Sequence, residues 1–275
     1  MKLFELLQTQ NLFEGGNALK GVKPITQLEV RKYIPELLKN IQDILGLSTN
    51  KVKLIGSAGK KIDDEDLSGD LDIAVECDPE LVDKNLKELA GKQSSRIMKG
   101  IGVFSFATEI NDKLVQVDLM PVDNINFAEW SFQANTADIE QGLKGAQRNE
   151  LFFAIAKNMP QEIMKKKDDE VIEIKRYFYD LGRGLMIGTR SRVNSKGKIG
   201  KNFTTVDKKV VTSDPNKIVA LMFGKSFTPE QCSTFNGTLN AIKSSKFLHI
   251  NKLEDILKLA ETGIKNKKLK IPDSL

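Results

Sequence analysis

A Gly-Ser step, followed at a distance by two aspartates on one strand, constrains this chain more than any other feature. The segment reads Leu54-Ile55-Gly56-Ser57-Ala58-Gly59-Lys60-Lys61, then Ser68-Gly69-Asp70-Leu71-Asp72-Ile73-Ala74-Val75. A turn of small residues leaves one apolar strand, and a second apolar strand carries acids at alternate positions. Side chains alternate across a strand, so Asp70 and Asp72 point to one face and Leu71, Ile73 and Val75 to the other. Adjacent carboxylates repel, and a cation between them relieves the repulsion. Oxygen donors so arranged suit Mg²⁺ or Mn²⁺, with the remaining positions left for water and substrate phosphates. This is a phosphoryl- or nucleotidyl-transfer site in outline.

A third acid extends the pattern. Leu114-Val115-Gln116-Val117-Asp118-Leu119-Met120 alternates, with Val115, Val117 and Leu119 on one face and Gln116, Asp118 and Met120 on the other. The apolar run Gly102 to Ile110 precedes it across Asn111-Asp112-Lys113, a turn-prone connector that predicts a hairpin. Asp118 then falls on a strand able to lie beside that of Asp70 and Asp72. Three carboxylates on neighbouring strands can hold two metal ions that clamp attacking and leaving oxygens.

In this order of motifs the chain resembles the nucleotidyltransferase superfamily that includes DNA polymerase beta. The resemblance covers roughly residues 50 to 122, one domain-sized unit. It implies a mixed-sheet core, an α/β (α+β) class, and transfer of a nucleoside monophosphate from an NTP to a hydroxyl. By the same resemblance Gly56 and Ser57 match the phosphate-binding pair, and Asp70 and Asp72 the metal ligands. Asp118 matches the third acid, which in many members also helps activate the acceptor. The wording Ser-Ala-Gly-Lys-Lys, then Ser-Gly-Asp-Leu-Asp, also resembles nucleotidyltransferase-like proteins of tailed bacteriophages. No acid expected of the superfamily is missing.

The spacer adds candidates. Ala58 and Gly59 let backbone pass close to a polyphosphate, and Lys60 and Lys61 can neutralise it as point charges. Solvation of both lysines at a helix start is the bland alternative. Asp63, Asp64, Glu65 and Asp66 mark an exposed loop rather than a second metal site.

Composition fits a cytoplasmic enzyme, in a host cell if phage-encoded. Cys77 and Cys232 lie far apart, which suggests a reducing compartment. The single histidine, His249, excludes a His-based zinc cluster and reads as a core-edge or surface residue. No apolar run approaches a membrane span, and the acidic start Met1 to Leu7 argues against a signal peptide.

Two domains are expected, a catalytic one over residues 1–135 and an α+β substrate-positioning one over 136–275. The first has a short helix over residues 2–8, a loop at Phe13 to Asn17, and a helix capped by Thr26 and Glu29 that runs towards Leu45. A further helix starts at Asp78-Pro79. Helices on one face of a mixed sheet complete the domain. In the second, Ala137 to Met159 predicts one helix, in which Gln147, Arg148 and Asn149 are minor candidates for substrate contact. Residues 173–211 predict strands. Helices are expected from Asp214-Pro215, from Thr228-Pro229 and over Asn251 to Glu261.

Between Arg183 and Lys201 the chain carries Arg183, Arg190, Arg192, Lys196, Lys198 and Lys201 without an acid. A basic flap over nucleic-acid or NTP phosphates and a merely solvated hairpin both explain it. With a net charge of +5, a nucleic-acid 3′ end, tRNA or other RNA, is the first choice of acceptor. A small molecule such as an aminoglycoside, a protein hydroxyl, or an inactive binding protein of the same fold remain alternatives.

Overall fold

The computed structural model describes residues 18–98, 102–167, 169–194, 197–245 and 252–275. The expected helix over residues 2–8, the Phe13–Asn17 loop, Lys196, His249 and Asn251 lie outside them. The chain divides into two compact units between Ile139 and Glu140. The architecture is mixed α+β. Among the described residues no helix is long and apolar enough to cross a membrane.

The first unit is built on a five-stranded sheet of order β2-β4-β7-β6-β5. Its strands are β2 (Val52–Leu54), β4 (Asp70–Glu76), β5 (Ser95–Met98), β6 (Val103–Ile110) and β7 (Lys113–Val122). Two short strands, β1 (Ile25–Thr26) and β3 (Leu67–Ser68), pair separately. β4 and β7 run parallel, and the other pairs are antiparallel. The β6–β7 hairpin closes through Asn111 and Asp112, whose φ of 51° and 59° make a left-handed two-residue turn matched to strand twist.

Helices α1 (Gln27–Leu45) and α2 (Pro79–Ala90) pack on one face. There Val30, Ile41, Val82 and Leu86 meet Leu71, Ile73, Val75, Phe106, Val117 and Leu119 in one apolar cluster. Alternation therefore sends the acids of β4 and β7 to the other face. At one end of that face α3 (Ile125–Ser131) brings Ile125 and Ala128 onto Ala74, Val122 and Ile55. Glu76 is spoken for at that end: its Oε2 accepts from the Ile125 N–H at 3.0 Å, at the start of α3. The helix starts follow their signals. Thr26 Oγ1 accepts from Glu29 N–H at 3.2 Å and Glu29 Oε2 from Thr26 N–H at 3.1 Å, while Asp78 caps α2 through Glu80 N–H at 2.8 Å.

The second unit holds a sheet of β8 (Glu162–Lys167), β9 (Glu170–Asp180), β10 (Gly184–Val193), β11 (Ile199–Thr205) and β12 (Lys209–Thr212). β9 pairs β10, while β11 and β12 share the other edge of β10. The expected helix from Ala137 to Met159 is two helices, α4 (Thr136–Glu140) and α5 (Gly145–Asn158). Gly142, at φ 69°, lies in the break, a backbone conformation that no helix continues through. α5 packs on β9 through Phe152, stacked on Tyr179 at 5.1 Å, with Phe153 edge-on at 5.6 Å.

Helices α6 (Pro215–Phe223), α7 (Phe235–Ser244) and α8 (Leu253–Asn266) complete the unit. Thr228-Pro229 starts only a turn. Gln231 Oε1 accepts from Thr228 N–H at 2.9 Å as a capping box would, but the chain leaves helical geometry and restarts at a Thr234 cap. The expected last helix runs five residues further, to Asn266 rather than Glu261.

Glu29 gives the fold a pH dependence. Burial alone would raise its pKa, but hydrogen bonds from Lys113, Asn111 and the Thr26 N–H, with the Lys113 charge, outweigh it and bring it from 4.5 to about 2. A depressed carboxyl pKa contributes stability that is present above the unfolded value and lost as pH falls through the folded one. The partners lie near the surface, so screening holds the contribution to about 1–2 kcal/mol. In urea unfolding, Glu29→Gln is expected to cost that amount near neutral pH. The gap to wild type should close as pH falls from 4.5 towards about 2. A gap constant with pH would remove this account.

Candidate metal centre

The parallel pairing of β4 and β7 sets Asp72 directly opposite Asp118 and Asp70 opposite Gln116. Carboxylate oxygens of Asp70, Asp72 and Asp118 all lie within 4.8 Å of one another. Burial is the first cause that drives the Asp72 pKa well above its usual 3.8, and the charges of Asp70 and Asp118 add to it. Asp118 is raised too, again by burial first, with Ser105 and Gln116 pulling the other way.

The residues around Asp118 were not among those the motif pointed to. Gln116 Nε2 donates to Asp118 Oδ1 at 3.0 Å and Oδ2 at 3.2 Å, while its Oε1 accepts from the N–H groups of Ala18 and Leu19 at 3.1 and 3.3 Å. Its signal in the sequence is a polar residue at an inward position of an otherwise apolar strand. Ser105 pairs with Asp118 across the β6–β7 ladder and is fully buried. Its Oγ reaches no hydrogen-bond geometry, so it acts on the carboxylate as a nearby dipole rather than through a made bond.

Gly56 follows β2 at φ 70° and lies against the acids. A Cβ there would stand 2.6 Å from Asp72 Oδ2, so only glycine lets the turn close on the cluster. Ile55 N–H donates to the Asp72 carbonyl at 2.9 Å and keeps the turn tied to β4. Ser57 to Lys60 form a turn rather than a helix start, with Lys60 N–H donating to the Ser57 carbonyl at 3.2 Å. Lys61 Nζ donates to the Leu67 carbonyl at 2.5 Å, so its ammonium closes its own loop. That acidic loop is anchored to α1 by the Arg31–Asp64 ion pair.

The donor set fits a hard divalent cation. All three ligands are carboxylate oxygens, two carry raised pKa values, and the cluster's mutual repulsion is what a bound cation removes. Asp70, Asp72 and Asp118 can therefore hold a metal ion.

Within the basic segment β10 and β11 pair antiparallel among the described residues. Arg192 pairs with Glu170 at 3.0 Å, Lys198 is exposed, and Arg183 is exposed at the β9–β10 turn. Arg190 spends one Nη2 donor on the Phe203 carbonyl. Gln147, Arg148 and Asn149 are buried, and Arg148 donates to the Ser233 carbonyl at 3.0 Å, so they serve the core of the second unit.

No protein-family model matches this chain, and no curated protein matches it.

Two measurements test the centre. In EDTA, Asp72→Asn is expected to unfold at a higher temperature than wild type, because it removes a buried charge from a like-charged cluster. Saturating Mg²⁺ or Mn²⁺ should stabilise only wild type, by about 2.7 kcal/mol at a hundredfold excess over Kd. Equal metal stabilisation of both proteins would remove the assignment. Gly56→Ala and Gly59→Ala carry a similar backbone cost, about 1 kcal/mol, since both positions have positive φ. Only Gly56→Ala should weaken calorimetric Mn²⁺ binding, roughly tenfold or more, because the Gly59 Cβ would meet nothing closer than Val30 Cγ1 at 3.4 Å.

Proposed function

We propose that this protein is a metal-dependent nucleotidyltransferase of the DNA polymerase beta-like superfamily, moving a nucleoside monophosphate from an NTP to an acceptor hydroxyl. The observation that carries the reading is the register of β4 and β7. It gathers three carboxylates beside a glycine turn whose close approach to Asp72 excludes any side chain.

In this reading Asp70, Asp72 and Asp118 hold Mg²⁺ or Mn²⁺, and the Gly56-Ser57 turn seats the triphosphate. The bound cation supplies charge neutralisation at the phosphates. Asp118 receives the proton of the acceptor hydroxyl, whose oxygen forms the new bond to the α-phosphorus. The bond from that phosphorus to the bridging oxygen breaks, and pyrophosphate leaves. Positioning and fixed electrostatics provide most of the rate, with Gln116 holding Asp118 in place. Lys60 and Lys61 are the candidates for neutralising the triphosphate, and Lys61 would have to release the Leu67 carbonyl to do so. A nucleic-acid 3′ end is the acceptor favoured by the net charge of +5.

The test is label transfer from each α-labelled NTP with Mg²⁺, in separate reactions with total RNA, single-stranded DNA or protein alone. Wild type is expected to transfer label with release of pyrophosphate, and Asp70→Ala/Asp72→Ala to lose at least about a thousandfold. Failure of wild type with all three acceptors would overturn the nucleic-acid and protein acceptors. Transfer retained by the double variant would overturn the role of the acids.

A further inference from the structure

The sheet of the second unit has two unlike faces. Tyr179 lies on the face covered by Phe152 and Phe153 of α5. Its neighbour in the chain, Phe178, points to the opposite face, and so do Arg176 and, through the pairing of Arg190 with Ile174, Arg190. Arg176 stands opposite Gly188, and Arg190 is the next residue of β10 on the same face. Two guanidinium groups are thus diagonal neighbours.

Lys208 joins them because of Gly188. Residues 206–208 leave β11, arch over β10 and enter β12, held by Val206 N–H to the Thr189 carbonyl at 2.9 Å and Thr189 N–H to Asp207 Oδ1 at 2.7 Å. A Cβ at Gly188 would fall 2.2 Å from the Asp207 carbonyl, so only glycine admits the crossing. It carries Lys208 Nζ to 4.8 Å from the Phe178 ring centroid, the same distance as the Arg176 guanidinium. Two cations, Arg176 and Lys208, therefore flank one aromatic ring, and Arg190 stands diagonally beside Arg176.

Among the described residues neither Arg176 nor Arg190 makes an ion pair, and the Nε atoms of both are buried without a hydrogen-bond partner. Burial, then the charge of Arg190, lowers the Arg176 pKa, which records a site costly for cations without a counter-charge. Arg192, by contrast, is neutralised by Glu170. Forked guanidinium donors beside an aromatic face match a phosphate with a base next to it, the repeating unit of a single strand.

We infer that Arg176 and Lys208, which flank Phe178, form with Arg190 beside Arg176 a phosphate-binding site for single-stranded nucleic acid on this face of the sheet. The site lies wholly within the second unit and needs no divalent cation, so it stands or falls apart from the transfer chemistry.

The experiment is anisotropy of labelled single-stranded RNA and DNA oligonucleotides with the full chain in EDTA, over a series of salt concentrations. Arg176→Gln/Arg190→Gln is expected to weaken binding about tenfold or more and to reduce the salt slope by about 1.4, two phosphate contacts on a single strand. Lys208→Gln, an exposed change that leaves the fold intact, should reduce the slope by about 0.7 and carries the test if the double variant does not fold. Lys166→Gln on the exposed strand β8 is the control for unspecific charge. Unchanged binding in the folded site variants, or an equal loss in Lys166→Gln, would overturn the site. Tripolyphosphate binding without oligonucleotide binding would overturn the single-strand assignment in favour of a free polyphosphate.

Discussion

The parallel ladder between β4 and β7 is the constraint on which the first unit depends. It fixes Asp72 opposite Asp118, and a slip of one residue by either strand would send that strand's acid to the apolar face against α1 and α2. Once the register is set, three carboxylates share a small volume, and burial makes their repulsion expensive. The neighbourhood is arranged around that cost. Gln116 donates to Asp118, Gly56 closes against Asp72 without a side chain, and Glu76 is drawn away to the start of α3. These contacts orient Asp72 and Asp118, and a divalent cation held by the three acids would relieve the repulsion that burial makes expensive.

Much of this was legible in the chain because its signals are local. Alternation assigned Leu71, Ile73 and Val75 to one face and the acids to the other, and Asn111-Asp112 marked a turn that needs left-handed backbone. The capping pairs Thr26 with Glu29 and Asp78 with Pro79 are short-range chemistry that the fold keeps. The pairing of β4 with β7 is long-range, and only the presence of an acid on each strand hinted at it. Gln116 and Ser105 escaped notice because a lone polar residue on a strand gains meaning only from what lies across the ladder.

The second unit was less legible, for physical reasons visible at particular residues. Gly142 breaks a helix that the flanking periodicity would continue, since its left-handed backbone is favoured by the local chain path rather than by spacing. Thr228 and Gln231 make the hydrogen bond of a cap, yet the following residues do not propagate a helix, because propagation depends on packing beyond the cap. Strand β8, Glu-Ile-Met-Lys-Lys-Lys, has weak strand propensity and every residue exposed. Its place is supplied by β9, and its lysines suit an edge that must not pair further.

Arg176 and Arg190 mark the limit of reading charge by counting it. The segment from Arg183 to Lys201 drew attention as a run of one sign, but within it Arg192 is neutralised by a glutamate from another strand. Arg176 lies outside the run altogether and becomes the partner of Arg190 only through the β9–β10 register. What distinguishes a binding cation from a solvated one is missing compensation in a partly buried place. That property belongs to pairs of strands rather than to stretches of chain. The first unit gathers three acids whose oxygens lie within 4.8 Å of one another, and the second sets two guanidinium groups side by side. In the proposed reading a divalent cation answers the first cluster and a nucleic-acid phosphate the second, each within its own unit.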